Sequence, residues 1–122
     1  MQIEVSIGEV LDKVSILTIK LNKLEDTNQL RNVAKELSKI TKVLPKGILE
    51  DPLYQKLCKV NMILWDIEDE LREHERGGWF DDDFISLARS VYHNNDERAA
   101  IKKEINIKYK SELVEEKSYS SY

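Results

Sequence analysis

Four stretches of the chain place apolar side chains alternately three and four residues apart, the spacing that lines one face of an α-helix. The first holds Ile7, Val10, Val14, Leu17, Leu21 and Leu24, and the second Leu30, Val33, Leu37, Ile40 and Leu44. The third holds Leu53, Leu57, Val60, Leu64, Ile67 and Leu71; the fourth begins with Phe84, Leu87, Ala88 and Val91 and resumes its phase at Ile101 and Ile105. Ahead of them residues 1–5 simply alternate, Ile3 and Val5 against Gln2 and Glu4, which suits a short extended arm. The pattern predicts helices over about 7–24, 28–44, 52–76 and 82–109, followed by a tail over 110–122.

Polar residues mark where these helices start and stop. Ser6 with Glu9 and Asp26 with Gln29 are capping boxes, in which each side chain can satisfy the other's free backbone N–H. Pro45 and Gly47 halt the second helix. Asp51 and Pro52 open the third, Gly77 and Gly78 close it, and Asp81 or Asp82 can cap the fourth. Asn94-Asn95-Asp96-Glu97 interrupts the last apolar stripe and could open a fresh helix. No Gly or Pro breaks the stretch, however, so one continuous helix is expected. Ile16 and Ile19 form a second apolar face on the first helix, to be covered by helix three or four or by a second subunit. The tail is expected to rest on the bundle through Leu113 and Val114 and to loosen beyond Tyr119. The fold class is therefore all-α: an antiparallel helical bundle of about four helices in one domain, residues 1–122, with a short extended N-terminal arm and a partly ordered C-terminal tail.

Composition narrows the function. With 34% charged residues, two prolines and four glycines, long solvated helices are better served than strands joined by tight turns. A net charge of −4 argues against a nucleic-acid partner, which wants clustered Lys and Arg. The lone Cys58 excludes an internal disulfide, and it reads as a small packing residue. No basic n-region precedes an apolar run and no window approaches the ~20 apolar residues of a membrane span, so a cytoplasmic protein is expected.

The chemistry on offer is sparse. Asp69-Glu70-x-x-Glu73 resembles half of the carboxylate pattern of all-α nucleoside-triphosphate pyrophosphohydrolases, which hold Mg²⁺ between acidic residues on two helices. The following helix has Asp81, Asp82, Asp83 and Asp96 but no Glu-x-x-Asp, so ordinary solvated charges are the plainer reading. His74 and His93 have no second ligand at metal-binding spacing. Lys35, Lys39, Lys42 and Lys46 form either an anion-binding strip or a solvated face.

A polar set sits where a bundle interior should be. Antiparallel helices joined at Gly77–Phe80 bring residues whose numbers sum to about 158 to one level, given the shared rise of ~1.5 Å per residue. Arg89 then lies opposite Asp69, Tyr92 opposite Trp65 or Asp66, and Asn95 near Asn61 and Ile63, while Trp65, Asp69 and Arg72 share one face. Trp65, Asp69, Arg72, Arg89, Tyr92 and Asn95 thus form either a structural ion-pair layer or a small polar pocket.

The segments IGEVLDKVSILTIK, LWDIEDELRE, FISLARSVYHNNDERAAIKKEIN and SELVEEKSY together resemble a small family of uncharacterised proteins from bacteria and their viruses, a domain of unknown function. The resemblance implies a compact helical cytoplasmic protein and supplies no catalytic residue, cofactor or substrate. The expectation for function is a binding or assembly module, either a homo-oligomer or an adaptor for a protein partner, with no catalytic residue and no cofactor. The alternative is a Mg-dependent all-α hydrolase of a nucleotide or another phosphorylated small molecule.

Overall fold

A computed structural model describes residues 1–122. It contains α1 (Ile7–Lys23), α2 (Thr27–Thr41), a single 3₁₀ turn (Ile48–Glu50), α3 (Pro52–Gly77) and α4 (Asp82–Lys108), with no strand. The N-cap half of each expected capping box forms, whereas no bond returns from the cap N–H to Glu9 or Gln29, and the Glu9 carboxylate pairs with Lys102 instead. Ser6 accepts the Glu9 N–H at 3.2 Å, Asp26 the Gln29 N–H at 2.9 Å, Asp51 the Leu53 N–H at 2.8 Å, and Asp81 the Phe84 N–H at 2.9 Å. Gly78 ends α3 with φ of 67°, a left-handed conformation that glycine adopts without strain.

Two boundaries carry information. α2 stops at Thr41 rather than Leu44, because Pro45 disfavours helical dihedrals at the residue before it; Leu44 reaches the core from the following turn instead. α4 runs unbroken through Asn94–Glu97. Asn94 donates back to the Ser90 carbonyl at 2.8 Å, so the polar interruption is accommodated within the helix.

α3 and α4 form a long antiparallel hairpin; α1 packs against both, and α2 packs on α1. The core, Leu11, Val14, Ile48, Tyr54, Leu57, Val60, Ile101 and Ile105, lies where α1 crosses the open half of that hairpin. Each such side chain contributes roughly 1.5–3 kcal/mol through burial. The open end is also clamped. Asp51, buried at the start of α3, accepts a hydrogen bond from the Tyr109 hydroxyl and pairs with Lys108 Nζ at 2.6 Å. Toward the Gly77–Gly78 turn the hairpin has only itself. Ile67 is buried there, but Leu64, Leu71, Phe84, Leu87 and Val91 are half-buried, and Trp79 and Phe80 are 55% and 58% exposed.

The tail, residues 110–122, rests on the bundle, with contacts that continue beyond Tyr119 to Tyr122. Leu113 and Val114 are only partly covered, 43% and 40% exposed, and polar contacts hold the segment beside them. Ser111 Oγ accepts the Ile7 N–H at 3.1 Å, Glu115 lies 3.4 Å from Lys102 Nζ, and Tyr122 packs its ring against Tyr92 and His93 while donating to Asp96 at 2.5 Å. No helix is long and apolar enough to cross a membrane.

Candidate ligand groove

Where α1 meets the hairpin, the interface is polar as well as apolar. Asp12, 2% exposed, accepts from Asn61 Nδ2 and from Arg98 Nε, both at 2.9 Å, and from a second Arg98 nitrogen. Asn61 also reaches Ser15 Oγ at 3.1 Å. Below Arg98, Lys102 Nζ pairs with Glu9 at 2.8 Å and lies 3.9 Å from Asp12. One turn further on, Asn106 Oδ1 accepts the Gly8 N–H at 2.6 Å. A buried charge is tolerable only when paired and hydrogen-bonded, and here no buried side-chain nitrogen or oxygen lacks a partner.

This network fixes protonation as well as position. The Asp12 hydrogen bond, set against burial, holds the Arg98 guanidinium above its already high ordinary value. Burial opposes the charge on Lys102, but its bonds and fields from Glu9, Asp12 and Glu115 outweigh that and raise it. Both groups are firmly cationic.

Directly outward lies an open groove of about 640 Å³ between α1, α3 and α4, lined by Ile16, Asn61, Leu64, Trp65, Glu68, Asp69, Arg72, Asn95 and Arg98. Its floor is held from beneath. Arg98 donates from Nε and one terminal nitrogen to Asp12 and from the other to Asn95 Oδ1 at 3.4 Å, and both Arg98 and Asn95 line the groove. Asn61 donates downward to Asp12 and Ser15, and no donor of the chain meets its own carbonyl oxygen. On the rim Arg72 is bonded to Glu68 at 2.9 Å, whereas Asp69 has no ion-pair partner. The groove therefore offers cationic donors, an unpaired carboxylate and the half-buried face of Trp65 together.

Of the residues expected from sequence, Trp65, Asp69, Arg72 and Asn95 share this groove, with Ile16 on its α1 wall. Arg89 and Tyr92 do not line it. Both are exposed, and Arg89 Nε donates to the Tyr92 hydroxyl at 3.3 Å rather than pairing with Asp69. The level of α3 against α4 agrees with the helical rise, as the Asp51 clamp on Lys108 and Tyr109 shows, but Asp69 and Arg89 face outward at that level. The inward ion pair forms instead between Arg98 and Asp12 of a different helix. Ile19 is 5% exposed within the single chain. Asp69, Glu70 and Glu73 are all exposed, Glu73 is paired with Arg76, and no three His, Cys, Asp or Glu side chains converge to hold a metal ion. Sequence reasoning missed Asp12, Arg98 and Lys102. A signal for the first existed: Gly8, Asp12, Ser15 and Ile19 follow one another at spacings of four, three and four along a second face of α1.

A family model described as a family of unknown function, DUF6165, matches residues 1–122. No curated protein and no solved structure matches the chain.

Proposed function

The chain belongs to the DUF6165 family of unknown function, and from that premise and the groove's chemistry we propose that it is a binding module whose ligand sits between α1, α3 and α4. The ligand is a small polar molecule with charges of both signs, a free amino acid or the end of a peptide. Its carboxylate meets the outward edge of Arg98 with Arg72 and Asn95, its amine meets Asp69, and its apolar part lies on Trp65. One observation carries this reading: the polar floor, Arg98 and Asn61, is bonded in place by buried Asp12 and Ser15 before any ligand arrives. Pre-organised donors lose little freedom on binding, which is how a shallow site gains affinity. The volume falls within the roughly 300–1,000 Å³ typical of small-molecule sites.

The test is thermal shift against free amino acids, dipeptides and end-blocked dipeptides. A ligand present at about a hundredfold its Kd should stabilise the fold by about 2.7 kcal/mol through mass action. The Asp69→Asn, Arg72→Gln variant changes only exposed side chains and should fold normally yet lose the shift. A panel without any shift, or an equal shift in the variant, defeats the reading.

A further inference from the structure

The turn end of the α3–α4 hairpin carries two unusual properties at once. Between Asp66 and Asp83 there are nine carboxylates against two arginines, a formal −7 in a chain whose total is −4, so all other residues together carry +3. In the midst of this acidic end, Trp79 and Phe80 are exposed, as is Ile85 at 52%. These rings are not loose. The Trp79 N–H donates to the His74 carbonyl at 2.9 Å, and its ring lies over Gly77, where any β-carbon would collide with it. His74 meets Trp79 edge-on with centroids 5.8 Å apart and also contacts Phe84, against which Phe80 packs edge-on at 5.2 Å. The result is an aromatic ledge of mutually packed rings bordered by Asp81, Asp82 and Asp83, standing away from the core that α1 covers.

An apolar surface left in water marks a contact site, and the field around it selects the partner. An anionic membrane or nucleic acid is repelled by this charge, and two such ends repel each other. We propose that this end of the hairpin docks a basic segment of a partner protein, one that presents leucine-like side chains to Trp79 and Phe80 and Lys or Arg to the surrounding carboxylates. Trp79, Phe80, Asp82 and Asp83 do not line the groove, so either site can fail alone.

The probe is a labelled amphipathic peptide of leucine and lysine, read by fluorescence anisotropy at about 0.15 M salt, where unassisted long-range attraction is largely screened. A leucine–glutamate peptide is the control. The lysine peptide should bind and the glutamate peptide should not. Trp79→Ser with Phe80→Ser leaves the charge unchanged and should weaken binding at least about tenfold, the scale of an aromatic anchor. Asp82→Asn with Asp83→Asn should weaken it several-fold, increasingly so at low salt. Ile85→Ser provides a second apolar variant should the double serine variant lose helicity by dichroism. The proposal is overturned if the lysine peptide does not bind, or binds the apolar variants as tightly as the wild type. It is equally overturned if sedimentation shows self-association abolished by the serine variants, which assigns the ledge to a second copy, or if anionic vesicles bind through it.

Discussion

The two halves of the α3–α4 hairpin use the same sequence pattern to different ends. At the open half, Leu57, Val60, Ile101 and Ile105 are buried because α1 lies across them. At the turn half the stripe continues at unchanged spacing, but only Ile67 is buried; Leu64, Leu71, Leu87 and Val91 are half-buried, because two helices enclose only the side chains directly between them. The polar chemistry divides the same way. The open half holds an ion pair whose carboxylate is buried in a hydrogen-bonded network, whereas the turn half carries its charges in solvent, as Arg72–Glu68 and Arg76–Glu73 do. Apolar periodicity therefore identifies a face; the number of neighbours decides whether it becomes core.

The sharpest test of this contrast is electrostatic. Asp12→Ala strips the partner from Arg98 and leaves Asn61 and Lys102 underbonded, and should cost about 3–5 kcal/mol in urea denaturation. Glu73→Ala, which removes the exposed partner of Arg76, should cost about 0.5 kcal/mol or less. Equal losses would erase the distinction between the halves. The next test is apolar. Leu11→Ala, at a fully buried position, should cost about 3 kcal/mol. Leu71→Ala, half-buried near the turn, should cost about 1 kcal/mol.

The last test concerns acid. The Asp51 carboxyl is held down from its ordinary 3.8 to about 2, first by the Lys108 hydrogen bond and then by Tyr109 and the Leu53 N–H. Because the folded value is depressed, the stabilisation is fully present above the ordinary value and is lost as pH falls from about 4 through about 2. Melting temperature should decline across that window in the wild type and decline less steeply in Asp51→Asn. Parallel curves would show that the clamp contributes nothing to the open half.

What the sequence reveals follows the range of each interaction. Ser6 with Glu9, Asp26 with Gln29 and Asp51 with Leu53 act over two or three residues, so helix starts are legible. The hairpin level is legible too, since it needs only the helical rise and a short turn. Which residues face inward at that level is not, because it depends on α1: Asp12 meets Asn61 and Arg98 across 49 and 86 residues. The groove was half legible for the same reason. Trp65, Asp69 and Arg72 share one helix face, while Arg98 enters through a partner that no local pattern names. In the tail the apolar Leu113 and Val114 are legible, whereas the polar contacts of Ser111, Glu115 and Tyr122 are not, because their partners lie 13 to 104 residues away.

The approach of α1 to α4 at Gly8 bears on how the molecule breathes. A methyl there would lie 2.6 Å from the Lys102 carbonyl oxygen, so the two backbones touch across a missing side chain. The contact consumes amides that a helix start ordinarily gives to water: the Gly8 N–H goes to Asn106 and the Ile7 N–H to Ser111. First-turn amides usually exchange their hydrogens quickly because the end frays. At Gly8 the amide is bonded to α4 itself and exchanges only when α1 leaves α4. Exchange at Gly8 should therefore be as slow as at Leu11 in the core, and far slower than at Asn28, in the exposed first turn of α2. Amide protection, normally a gauge of helix interiors, becomes at this one terminus a gauge of domain opening.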